Sequence, residues 1–464
     1  MSVFNSILMN LPEVISPTQK RLSFKEKMKW TGVTLLLFFT LGLVPLFGLG
    51  HNALEQFEFL SIILGASFGS IISLGIGPIV TASIVLQLLN GSGIMKFDLT
   101  THDGKRKFQG VQKLGAIFFI IFEAIVYIKM GGLSPSADFL GTAIYGQLQS
   151  ILIFQLILGG MLILFMDEIV SKWGFGSGVS LFIAAGVSQS VFIRALSWLK
   201  SPANPEAYTG AIPELFRALS IGDPITAGLM LAAVLSTIAV FMMSVYAQAM
   251  KIEIPLSFGR VRGQGMRWPL NFIYTSNIPV ILVAALMANI QLWARLLQNK
   301  GIHIFGTFVG NTPATGLVAW INPPDIVGQI IKGSITFTDF GHAMTYMTFM
   351  MGGAVLFSWF WVQTAGMDSK SQAKQIMSSG LQIPGFRKDQ RILERLLDRY
   401  IKPLTIMGAL TVGFLASIAD LSGALSNGTG ILLTVMIVYK LYEDIAKQHM
   451  MDMHPMLRKF MGGG

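Results

Sequence analysis

The stretch Gly69–Leu89, GSIISLGIGPIVTASIVLQLL, is apolar enough for a membrane, yet Gly69, Gly75, Gly77 and Pro78 fall in its first ten residues. From Phe57 to Asn90 the chain is largely apolar, and these about 34 residues would run ~51 Å as one helix, too long for ~30 Å of hydrocarbon without strong tilt. Pro78 lacks an N–H and disfavours helix at the residue before it, while Gly75 and Gly77 ease a turn. The pattern predicts a short helix near 57–70 and a longer one from about 76 to 89. The short piece, FEFLSIILGASFGS, cannot span. Irregular backbone at membrane depth is tolerated only inside protein or beside a water-filled cavity, so the break implies a cavity. A re-entrant or surface helix with no moving role is the plainer alternative.

The rest of the chain fits that setting. Of 464 residues, 52% are hydrophobic and only 12% charged, too few charges to cover a soluble surface, and the apolar residues come in blocks. Ten blocks, near 29–47, 71–89, 112–131, 147–167, 177–197, 225–248, 272–297, 342–364, 402–420 and 428–446, are each long enough to span. With the amino terminus inside, 27 of the 34 Lys and Arg fall on the inner side; the opposite orientation reverses that ratio, so both termini are expected in the cytoplasm. The start of the chain reads as amphipathic rather than as a cleavable leader. The absence of cysteine excludes disulfides and thiolate metal sites.

Two inner loops are long and basic, 250–269 and 368–400. Each sets glycine beside arginine: Gly259, Arg260, Arg262 and Gly263 in one, Gly385 and Arg387 in the other. Such loops are positive-inside anchors at least. A glycine turn that lifts an arginine fork clear of the bilayer also suits phosphate, including the backbone of RNA. Ten segments divide into two sets of five, the second inverted, and GPIV in the second block matches NIPVI in the seventh, a paired interruption expected near the functional centre. Glu123, in the middle of the third block, should face the interior; it is either a proton or ion site or a hydrogen-bonded structural acid, with Thr81 and Asn277 as candidate partners. Asp167, Glu168 and Lys172 read as a solvated turn. Val179 and Ile183, and likewise Ile76 and Val80, share helical faces. No nucleotide loop, metal-ligand spacing or nucleophile triad is present.

LGIGPIVTASIVLQLLNGSGI, LFMDEIVSKWGFGSGVSLFIAAGVSQ, SNIPVILVAAL, IPGFRKD and NGTGILLTVMIVYKLYE, taken in order, resemble the SecY family, the large subunit of the protein-conducting translocon, in its archaeal form. The resemblance implies an all-α polytopic membrane protein with ten transmembrane helices in two pseudo-symmetric five-helix halves around a central pore. The amino-terminal half, 1–200, would hold an amphipathic helix, five spans and a plug near 57–70. The carboxyl-terminal half, 201–464, would hold five spans and the cytoplasmic loops 250–270 and 366–401. It implies a plug carrying Phe57, Leu60, Ile63, Leu64, Gly65, Ser67 and Phe68, and a hinge at Gly75, Gly77 and Pro78. The pore ring would be Ile76, Val80, Val179, Ile183, Ile281 and Leu433, since narrow aliphatic constrictions dewet and block ions. A lateral gate would be latched by Thr81, Glu123 and Asn277, and Arg260, Arg262, Arg387 and Lys388 would dock the ribosome. The implied partners are a SecE-like single-span subunit, a small beta-type subunit, the ribosome, signal sequences, nascent polypeptides and membrane lipid. The implied site is the plasma membrane, with no catalytic residue, metal or cofactor. The competing class is an ion-coupled secondary transporter with Glu123 as its coupling site.

Overall fold

The computed structural model describes residues 11–19, 22–52, 66–91, 94–95, 97, 101–200, 206–258, 265–275, 278–298, 301–309, 312–378, 381–382, 389–426 and 428–453. Among them ten helices of fifteen residues or more carry the fold: α1 Phe24–Gly42, α2 Gly77–Gly91, α3 His102–Lys129, α4 Ala143–Trp173, α5 Gly178–Leu196, α6 Pro224–Ala249, α7 Ile278–Gln298, α8 Phe337–Thr364, α9 Gln390–Leu421 and α10 Gly428–Met453. Each overlaps one of the ten apolar blocks. Seven helical runs among the described residues, in α3 to α9, are long and apolar enough to cross a membrane. α2 is apolar but shorter, while α1 carries Lys25, Glu26, Lys27 and Lys29 in its first turns. The chain is a mostly helical, polytopic membrane protein.

The helix ends follow local chemistry. The Ser23 hydroxyl accepts from the Glu26 N–H at 3.3 Å, Thr101 from Gly104 at 3.1 Å, and Asp389 from Arg391 at 2.9 Å. Asp223 accepts from Ile225 and Thr226, with Pro224 as the first helical residue of α6. Each cap satisfies amide groups that the first helical turn leaves without partners.

The apolar stretch before α2 is not helical. Residues 66–67 have no regular structure, 68–69 and 71–76 form turns and Ser70 bridges to Pro45, so neither the described end of the expected helix near 57–70 nor the start of the 71–89 block is helical. Ser70, Ser73, Gly75 and Gly77 each donate an N–H to the carbonyl three residues back, and Gly69 (φ 95°) and Gly75 (φ 54°) take the left-handed backbone such turns need. The Ser73 hydroxyl donates to the Ser70 carbonyl at 2.5 Å and accepts from the Gly69 N–H at 2.9 Å. Residues 72–80 are all buried. They sit against α4, where a Cβ on Gly159 would strike the Ile71 carbonyl and one on Gly160 would strike Ile120. The stretch is also tied to the end of α1 and the turn after it. Leu46 N–H donates to Gly69 at 2.9 Å, Ile71 N–H to Val44 at 3.0 Å, and the Ser67 hydroxyl to the Gly42 carbonyl at 3.1 Å. Irregular backbone is thus enclosed by protein, as a membrane setting requires.

α2 packs along α3 and reaches α7 and α8; α5 and α6 pack along α10, and α8 along α9. The described parts of the two long basic loops contain regular structure. β3 Lys251–Phe258 pairs antiparallel with β4 Gly265–Asn271, and helix Ser369–Ser378 precedes α9, numbering the two-residue strands His51–Asn52 and Leu133–Ser134 as β1 and β2. Ile254 and Leu270 of this ribbon pack with Ala373 and Ile376 on Leu393, Leu397, Ile401 and Leu404, one face of α9. At 32 residues α9 extends ~48 Å, so its first turns stand beyond the hydrocarbon and carry this second core.

Candidate functional site

Ile76, Val80, Ile183, Ile281 and Leu433 are buried in one continuous apolar cluster, and half-buried Val179 packs against it. Ile76 immediately precedes α2 and Val80 lies in its first turn. Val179 and Ile183 are one turn apart at the start of α5, Ile281 is in the first turn of α7, and Leu433 is in the second turn of α10. Four separate helix beginnings therefore carry the six expected ring residues, all within or against the main apolar core. Val80, Val179 and Ile281 also line a cavity of about 560 Å³, whose mainly apolar wall includes Phe108, Phe175 and Trp361, with Ser83, Gln87, Gln112, Asp167, Lys440 and Asp444 set among them. Asp167 Oδ1 accepts the Val179 N–H at 2.9 Å, which fixes the first turn of α5 against α4.

Beside these residues α2, α3 and α7 meet at a polar seam. The Thr81 hydroxyl lies 3.5 Å from Glu123 Oε1, and Asn289 Nδ2 donates to Thr81 Oγ1 at 3.3 Å. Glu123 is only 6% exposed and is not among the described residues lining the central cavity. The expected third member, Asn277, lies outside the described residues. Asn289, in LMANIQLW, joins Thr81 at this seam; the rule that singled out Glu123, a polar side chain in the middle of an apolar span, would also have found it.

The inner end of α4 corrects the expectation of a solvated turn. Asp167 is committed to α5. Glu168 pairs with Lys113 of α3, lies 4.0 Å from Lys172, and accepts the Val14 N–H at 2.8 Å. Lys172 pairs with Glu13 and donates to the Val14 carbonyl at 2.6 Å, and Trp173 donates its indole N–H to the Ile15 carbonyl at 2.8 Å. The hydrogen bond from Lys172 holds the Glu13 carboxyl below its ordinary pKa. Glu13, Val14 and Ile15 lie more than 150 residues away in the chain and Lys113 lies 55 away, which is why the sequence reads as an isolated charged turn.

Of the expected plug residues, Phe57, Leu60, Ile63, Leu64 and Gly65 lie outside the described residues. Ser67 is bonded to the end of α1, and Phe68 packs half-buried on the main apolar cluster. Gly75 and Gly77 bracket the entry to α2, with Pro78 its second residue. Arg260, Arg262, Arg387 and Lys388 also lie outside the described residues. Among the described residues no group of three or more His, Asp or Glu is placed to hold a metal.

Aliphatic residues at four helix beginnings, a cavity that three of them line and a seam between helices lie within one polytopic membrane protein. The chain belongs to the SecY family, whose model matches residues 70–442. It is 45% identical over 463 residues to the protein translocase subunit SecY of Methanothermobacter thermautotrophicus, covering 99% of this chain and 98% of that one. Among solved structures it is similar to a SecY protein whose plug domain stabilises the closed state of the translocation channel and maintains a membrane seal (42% identity, TM-score 0.82, 98% of this chain and 99% of that one). It is also similar to Sec61 in the canine ribosome–channel complex from the endoplasmic reticulum (41% identity, TM-score 0.80, 98% and 99% covered).

Proposed function

We propose that this chain is the central subunit of a protein-conducting channel, passing secretory polypeptides across the membrane and releasing apolar segments sideways into lipid. The observation that carries the reading is that six aliphatic residues from four helix beginnings, Ile76, Val80, Val179, Ile183, Ile281 and Leu433, lie in or against one apolar core beside a cavity that three of them line. Aliphatic side chains seal against ions, yet part around a passing chain without binding it. A transported solute would instead need a polar site in that position.

In this reading α1 to α10 all cross the membrane, in halves 1–200 and 201–464, with both termini in the cytoplasm and the protein in the plasma membrane. The contacts of α2 with α7 and α8 on one side and of α5 with α10 on the other support two halves meeting along two lines. The first line is the lateral gate, latched by Thr81, Glu123 and Asn289. The residues near 57–70 form the plug, and Gly75, Gly77 and Pro78, the expected hinge, turn the chain from it into α2. Arg260, Arg262, Arg387 and Lys388 dock a ribosome, as the canine relative's complex supports; the ribbon β3–β4 and the start of α9, next to them in the chain, share one packed core. A SecE-like single-span subunit and a small beta-type subunit complete the assembly.

The test is a secretory chain stalled during synthesis in membranes containing this protein, with a photoreactive residue at position 80 or 281. Labelling of the stalled chain at both positions is expected, and absence of labelling from an inserted, stalled chain would overturn the channel reading.

A further inference from the structure

The seam carries one contact that its hydrogen bonds do not account for. Phe122, immediately before Glu123 on α3, sets its ring 5.8 Å from that of Trp293 on α7, with the planes tilted by 30°. Trp293 lies one helical turn after Asn289, on the same face of α7. α7 thus offers an amide to Thr81 of α2, which donates in turn to the Glu123 carboxyl of α3, and an indole to the Phe122 ring of α3. The two pairs differ in depth. Glu123 is 6% exposed, whereas Phe122 is 39% exposed. Phe122 is stacked in turn on Phe118, at 6.0 Å and 7° between planes, and Phe118 is more exposed still. The seam has a buried polar layer and, outside it, an aromatic layer on the surface that lipid would meet.

We infer that Phe122 and Trp293 form an aromatic lip that sets how apolar a segment must be to part the seam; this rests on the seam being the lateral gate. A segment entering from the seam separates these rings and covers the faces it frees. Apolar side chains replace the ring–ring contact, whereas polar ones leave the faces against poor partners. The hydrogen bonds behind the lip are lost whichever segment enters, so they set how hard the seam is to open and discriminate less between segments. Aromatic pairs hold more than their buried area alone, which makes the lip a threshold and not merely a cover.

The experiment is membrane insertion of a graded series of Leu/Ala segments by the full-length chain in its native membrane complex. Phe122→Ala and Trp293→Ala should each move half-insertion to segments less apolar by about one or two Leu-to-Ala exchanges. The double variant should move it no further than the larger single, because one contact is lost in each. Trp293→Phe, which keeps a ring, should restore most of the threshold, and Phe118→Ala, which does not cross the seam, should leave it unchanged. The chain has no cysteine, so Phe122→Cys with Trp293→Cys gives a clean short-range cross-link. It should form in the resting complex and be lost when a nascent chain is stalled in it, and this arm does not depend on the alanine variants folding well. An unmoved threshold, additive single effects, or a cross-link indifferent to the nascent chain would overturn the lip while leaving the channel intact. A wild-type complex that inserts no segment would overturn both.

Discussion

Two places in this molecule are held by polar groups, and they are built to opposite standards. At the inner end of α4, Glu168 receives Lys113 and the Val14 amide, with Lys172 at 4.0 Å, and Lys172 in turn holds Glu13 and the Val14 carbonyl. At the seam, Thr81 stands 3.5 Å from Glu123 and 3.3 Å from Asn289, at the weak end of hydrogen-bond geometry. The first ties α3, α4 and the amino-terminal segment into one piece. The polar contact of the second across to α7 is one long bond, Asn289 to Thr81, set among apolar packing and an aromatic pair. Parts at the end of α4 are fastened several times over by charge, while the line along which the proposed gate parts relies on apolar contacts that a guest can replace.

The contrast breaks most severely if the fastened end is cut. Glu168→Ala removes the partner of a mostly buried Lys113 and should cost about 3 kcal/mol, read as a large fall in the heat-inactivation midpoint of the purified complex. Gly159→Ala should come next, at about 1–3 kcal/mol, because its new methyl meets the Ile71 carbonyl. Gly146→Ala, with open space around it, is the control. At the seam, Asn289→Ala should cost only about 0.6 kcal/mol, the usual worth of a hydrogen bond between membrane helices. Its larger effect should be an increased fraction of channels found open in planar bilayers. If Asn289→Ala destabilises the fold as much as Glu168→Ala, the two regions do not differ in kind.

The smallest effect tests the outermost strand of the fastening. Glu13→Gln should cost under about 0.5 kcal/mol, since the Glu13 side chain is largely exposed. Its folded pKa is lowered by Lys172, so its contribution is present above the ordinary carboxylate pKa and is lost as pH falls through the lowered value. Wild type and Glu13→Gln should therefore differ near neutral pH, converge in acid, and converge in high salt at any pH.

The helices were legible because length and apolarity constrain a membrane span without knowledge of its neighbours. The break before α2 was legible for the same reason, since Gly75, Gly77 and Pro78 act on their own backbone. What was not legible depended on partners remote in sequence. Nothing in LILGGMLIL indicates that Gly159 makes room for a carbonyl eighty-odd residues earlier, and nothing near Glu168 points to Lys113 or Val14. The ribbon 251–271 is an intermediate case. The alternation Lys251, Ile252, Glu253, Ile254 is a strand period, but the stretch reads first for its charge, and its strands go undrawn. Asn289 could have been found from its own span.

The turn segment before α2 also bounds how far the proposed plug can travel. Asn52 is paired with Leu133, and Gly69 and Ile71 are bonded to the turn after α1, so the chain between Asn52 and Ala66 is moored at both ends. A chain of fourteen such links spans at most about 48 Å, and the middle of a loop moored at both ends reaches about half of that, roughly 24 Å. That is less than the ~30 Å hydrocarbon thickness: a stopper on so short a leash can clear the ring but never leaves its neighbourhood, and resealing becomes a return over a fixed distance instead of a search.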